Sequence, residues 1–163
     1  MALGRIAGVT QPSQNVVAQE REASLYDRDF VAWAMHTAAM LRARRFDAVE
    51  VSRLAEEIED MCKRDMKELN GRLQVLLAHL LKWQRQPHRR SRSWRATIVA
   101  QRLEIDALLR DSPSLRRRIS SELVYNYGGA LKRAAAETGL NPGAFPARCP
   151  FTTRQILDHE FLP

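Results

Sequence analysis

Two cysteines in 163 residues, Cys62 and Cys149, make no Cys-x-x-Cys pair and no Cys/His ligand spacing. A disulfide framework and a structural zinc site therefore have no support, and reduced thiols in a cytoplasm are expected. No long apolar run is present, which argues against a membrane-spanning helix. The N-terminus offers only a short apolar stretch from Ile6 to Val9, interrupted by Gly8, too short for a secretory signal. Also missing are a glycine-rich phosphate loop, a nucleophile elbow, and any Ser-His-Asp or Cys-His set that spacing would bring together. No alternating strand pattern occurs. These absences leave a soluble helical protein with no recognisable catalytic motif and no implied cofactor.

An apolar fraction of 45% with 28% charged residues is ordinary for a globular chain, and this length suits one domain with a single core. Residues 1–23 mix Gly, Pro, Gln and Asn without a sustained period and read as a flexible tail, leaving residues 24–163 as the folded domain. Within it, Phe30, Trp33, Thr37, Met40 and Leu41 fall on steps of three and four, predicting a helix from about Asp27 to Arg44. A second stripe runs Val51, Leu54, Ile58, Cys62, Met66, Leu69, Leu73, Leu76, Leu80, Trp83, with Asp47 and Glu50 as a capping pair. It predicts one long central helix from about Ala48 to Gln84, roughly 55 Å if continuous. Asn70-Gly71 is the one place where it could break.

Pro87 stops that helix, and Ser93 is the expected cap of the next, whose Ile98, Arg102, Ile105, Leu108 and Leu109 run to about Arg110. Ser112-Pro113 opens a fourth helix expected to reach Gly139, weakened in the middle by Gly128-Gly129. Thr152 with Gln155 caps one short terminal turn. The expected fold is all-α, a bundle of four main helices with a short C-terminal helical segment packed across it.

Charge is concentrated between Lys82 and Arg95, where KWQRQPHRRSRSWR holds six of the 26 Lys and Arg and no acid. Without those six, 20 bases face 19 acids, so the rest of the chain is nearly neutral. Lys82, Arg85, Arg89, Arg90, Arg92 and Arg95 are the candidate binding residues, because they are the densest charges in the least regular part of the bundle. They could neutralise phosphates while Trp83 and Trp94 stack on bases. The plainer alternative has Lys82 and Arg85 satisfying the negative end of the long helix, both tryptophans in the core and the remaining arginines solvated. Arg95 is awkward for that alternative, since a cation in the first turn of a helix wants a compensating partner.

Glu56, Glu57, Glu59 and Asp60 crowd four carboxylates into five residues. With His36 they could approach a divalent cation, but no second Glu-x-x-His pair accompanies them. A histidine bordering an apolar stripe, as His36 and His79 do, is more often a hydrogen-bonded core edge, so no metal is expected. An acidic face partly paired with Arg53, Lys63 and Arg64 is the simpler reading. A straight helix would put this cluster about 40 Å from the basic window. An antiparallel homodimer along that helix would then bring Glu56, Glu57 and Asp60 of one copy towards Arg85, Arg89 and Arg92 of the other.

Leu25-Tyr26-Asp27, LAEEIEDM at 54–61, HLLKW at 79–83, RSRSWRATI at 90–98, CPFT at 149–152 and the closing FLP resemble the Domain of Unknown Function 29 family, over residues 24–163. The resemblance implies a bacterial, cytoplasmic, all-helical protein of uncharacterised activity, and it carries no catalytic residues onto this chain. Together these features predict a non-catalytic protein-binding or regulatory module, with an unknown protein partner or a homodimer. Nucleic-acid binding through the basic window is the alternative.

Overall fold

The computed structural model describes residues 25–163, all α-helix, short 3-10 turns and loops, with no strand among them. The tail expected over residues 1–23 lies outside the described residues. Residues 25–28 are helical, and six further helices follow: α1 (Phe30–Arg42), α2 (Val51–Arg85), α3 (Arg92–Asp111), α4 (Arg116–Ser121), α5 (Leu123–Thr138) and α6 (Thr153–Leu157). The chain divides into two compact units, the first ending at Asp60 and the second running from Met61 to Pro163. The long helix α2 is unbroken, 35 residues through Asn70-Gly71.

In the first unit Asp29 caps α1 by accepting from the Ala32 amide at 2.9 Å. Trp33, Thr37, Ala48 and Val49 are buried, and Tyr26 and Phe30 pack edgewise or tilted around Trp33. Tyr26 donates its hydroxyl to Glu57 at 2.5 Å while the Arg53 guanidinium lies 4.4 Å from its ring centroid. Residues 53 and 57 therefore face the aromatic cluster. The helix stops two residues short of its expected end, because the Arg44 amide donates to Leu41 and the Arg45 amide to Met40. This is a Schellman closure with arginine, at φ 58°, where glycine is usual. Phe46–Ala48 winds as a 3-10 turn, so α2 begins at Val51 and Asp47 is not its cap.

The second unit is built on the stripe of α2. Leu69, Leu73, Leu76, Leu77, Leu80 and Leu81 are buried against Ile98, Ile105 and Leu109 of α3, Ile119 of α4, and Tyr127, Ala130 and Ala134 of α5. Truncating any one of these leucines to Ala would cost about 2–5 kcal/mol. The stripe's first third is different: Val51, Ile58 and Cys62, expected in the core, are exposed. Asn70, the suspected break, instead accepts from the fully buried Asn126 amide at 2.9 Å, and Gln74 donates to the Asn126 carbonyl at 3.3 Å. Gly129 makes room for Gln74, since a Cβ there would lie 2.7 Å from the Gln74 amide.

The predicted fourth helix is three pieces, a 3-10 turn at Pro113–Leu115, then α4, then α5. Its interruption falls at Glu122 and not at the glycine pair. Ser112 makes no capping bond and donates to Asp65 instead. Gly139, at φ 72°, ends α5 in the left-handed conformation that favours glycine. The capping box of Thr152 and Gln155 forms as expected.

Arg102, in the apolar stripe of α3, is 1% exposed. Its Nε donates to the carbonyl of Ile156 at 2.9 Å, and its Nη atoms reach His159, Gln155 and Phe161 at 2.9 to 3.3 Å. Three of these acceptors follow or end α6, where a helix leaves carbonyls unpaired. Burial lowers the guanidinium pKa from its usual value, and the charges of Asp158 and Glu160 oppose that shift.

Two changes test this packing. Arg44→Gly relieves the left-handed strain and should raise unfolding free energy by about 1 kcal/mol in urea titration. Arg102→Met leaves four carbonyls without a donor and should cost about 3–5 kcal/mol. Arg102→Lys should recover little of that, because one ammonium lacks the planar fork that spans four acceptors.

Candidate interaction surface at the basic window

Three short elements carry the basic window. The last turn of α2 ends at Arg85, Pro87–Arg89 forms a 3-10 turn, and Ser91 caps α3 by accepting from the Trp94 amide at 3.2 Å. Ser93, the expected cap, is already inside the helix. Six cations so close together would repel one another if all were solvated alike, and the structure separates them into two roles.

Lys82 is buried and Arg90 is tied down at the surface. Lys82 is 4% exposed, its Nζ 2.5 Å from Glu137 Oε2 on α5 and 4.5 Å from the Trp94 ring centroid. Arg90 donates through Nε to the Trp83 carbonyl and through Nη2 to the backbone oxygen of Pro163, each at 3.0 Å, with its guanidinium 5.2 Å from the Trp83 ring centroid. Arg90, and not Lys82 or Arg85, thus satisfies an end carbonyl of α2. Both tryptophans are half-buried, each with a ring already facing a cation. Neither is a free stacking platform.

Arg85, Arg89, Arg92 and Arg95 are exposed, and their side chains form no hydrogen bond or ion pair with a described residue. Arg92 and Arg95 border a shallow, open groove completed by Ala96, Val99, Ala100 and Leu103 of the same helix. Val99 is 42% and Leu103 58% exposed. Helix α3 is therefore apolar on two sides: Ile98, Ile105 and Leu109 go into the core, while Ala96, Val99, Ala100 and Leu103 face outward at the same helical spacing. Its first turn contains no acid, so its positive helix end and two arginines reinforce one another.

The acidic candidates divide similarly. Glu57 holds Tyr26, and Asp60 is also engaged, whereas Glu56 and Glu59 are exposed. Arg53 pairs with Glu50 at 3.0 Å. No group of three His, Cys, Asp or Glu converges on a possible cation among the described residues. His36 is exposed. The Cys149 thiol is pushed up by burial and donates to the Phe151 carbonyl, which leaves it a poor nucleophile.

His79 donates through Nδ1 to the Val75 carbonyl at 3.0 Å and is half-buried. Burial lowers its pKa, and Lys82 reinforces that shift against the Val75 carbonyl and Glu137. Burial alone would raise the Glu137 carboxyl, but the hydrogen bond and charge of Lys82 reverse this and hold it below the usual range.

Helical spacing places Arg102 on the apolar stripe of α3 but does not reveal its carbonyl partners, nor does it reveal the groove. An arginine on an apolar stripe was the available signal for the first, and Val99 and Leu103 off the core stripe for the second. Among the described residues no helix is long and apolar enough to cross a membrane. Comparison with known proteins adds one assignment: the chain belongs to the family described as "Domain of unknown function DUF29", whose model matches residues 25–162. No curated protein and no solved structure matches it.

The lowered His79 pKa predicts a pH effect. The unfolded chain binds a proton at this position more readily than the folded one, so His79's contribution is complete above the ordinary histidine pKa of about 6.5 and is lost as pH falls through the lower folded value. Urea unfolding in mildly acidic buffer should show lower stability than at neutral pH, and His79→Gln should flatten that dependence. Glu137 has a depressed pKa as well, and its contribution is lost as pH falls from the ordinary carboxylate pKa through the lower folded value, a more acidic window than that of His79.

Proposed function

We propose that this member of the DUF29 family is a non-catalytic interaction module that takes an acidic protein partner onto the arginine-edged groove of α3. The observation that carries the reading is the groove itself, in which Val99 and Leu103 form an exposed apolar strip beside the exposed Arg92 and Arg95. Arginine beside apolar surface, with little lysine, is the composition of protein-binding patches. The uncompensated first turn of α3 favours carboxylates from outside the chain. The exposed thiol of Cys62 suits a reducing cytoplasm.

A nucleic-acid reading keeps support from Arg85 and Arg89, which extend the exposed cations beyond the groove. It is disfavoured by the two tryptophans, whose rings are occupied by Lys82 and Arg90. The readings differ in their need for the apolar strip, because phosphate contacts do not use Val99 or Leu103.

Pull-down from the native host's lysate, run with and without nuclease treatment, should capture a protein with the wild-type chain in both. Arg92→Glu with Arg95→Glu, and separately Val99→Asp with Leu103→Asp, should each abolish capture while leaving the thermal midpoint within a few degrees. Nuclease-sensitive material lost with the arginines but retained by Val99→Asp with Leu103→Asp would replace this reading with the nucleic-acid one.

A further inference from the structure

In residues 51–62 of α2, Val51, Ala55, Ile58 and Cys62 recur on steps of four and three and are all exposed, Val51 at 64% and Ile58 at 55%. This is the continuation of the spacing that buries Leu69, Leu73, Leu76 and Leu80 farther along the same helix. The first helix does not cover it, since Tyr26 of the aromatic cluster meets α2 through Arg53 and Glu57. Anchors at i, i+4, i+7 and i+11 are what a helix uses when it lies in an apolar groove. Glu56 and Glu59 lie along one side of these anchors, exposed and with no side-chain partner among the described residues, beside Lys63, which is itself engaged. The stripe thus carries two unpartnered carboxylates along one side, while the groove of α3 carries two arginines.

We infer that the acidic partner is a second copy of this chain, whose stripe at Val51, Ala55, Ile58 and Cys62 seats in the groove of Ala96, Val99, Ala100 and Leu103, with Glu56 and Glu59 against Arg92 and Arg95. The inference rests on the groove being a protein-docking site and names what docks there. Charge complementarity selects this occupant: an acidic-edged helix fits the groove, whereas a second basic groove would be repelled. Because the two surfaces differ, association closes as a pair when both contacts form about a two-fold axis and otherwise extends as a chain.

The full-length chain should sediment faster as its concentration rises, and added salt should weaken the association. Glu56→Lys with Glu59→Lys, and Arg92→Glu with Arg95→Glu, should each weaken association by about tenfold or more. Mixing those two variants should restore it, because each protein then meets a complementary face on the other. Cys62 supplies a second readout, since its alkylation should slow as the wild-type protein associates and not in either variant alone. A wild-type chain that stays monomeric, variants that associate as the wild type does, or a mixture that stays apart would overturn the inference. A lysate protein still captured through the groove by a monomeric chain would overturn self-association while leaving the groove's docking role intact.

Discussion

A single buried guanidinium ties the end of this fold to its middle. Arg102 sits where the spacing of α3 calls for an aliphatic residue, and a charge at that position would be untenable without partners. Its partners are backbone carbonyls from residues 155 to 161, so the segment around α6 is held by polar bonds as well as by Phe151 and Ile156 in the core. Five residues are too few to be helical on their own. The dependence is mutual: α6 needs Arg102 to hold it, and Arg102 needs the carbonyls that α6 and its following turn expose.

Local rules explain why some elements were legible. The long helix follows from a stripe in which every step is three or four, and its end from Pro87. Gly139 and the Thr152–Gln155 box act through atoms within a few residues of themselves. Where two local solutions compete, sequence alone does not choose. Ser91 and Ser93 can both cap, and the one whose oxygen meets the Trp94 amide does so. Asp47 and Glu50 have capping spacing, but the chain first winds a 3-10 turn.

The basic window shows a different limit. Charge density marks the place, but the division of labour within it depends on residues far along the chain. Lys82 is removed from the surface by Glu137, 55 residues away, and Arg90, still exposed, is tied down by a backbone oxygen 73 residues away. Both cations also lie over the tryptophan rings, so the engagement of these charges and the loss of a stacking surface are one event. The exposed apolar strips on α2 and α3 were hidden for the opposite reason, because periodicity says which residues share a face and not whether anything covers it.

The Arg102 clamp also bears on the order in which the protein is made. Its acceptors follow it by 53 to 59 residues. At about 5–20 residues per second, a growing chain holds α3 for about 3–12 s before the oxygens that Arg102 requires exist. Throughout that interval the core position is occupied by an unliganded cation, which opposes closure of the leucine stripe around it. Translation thus carries a built-in delay, in which the second unit remains open until its last turn has been synthesised.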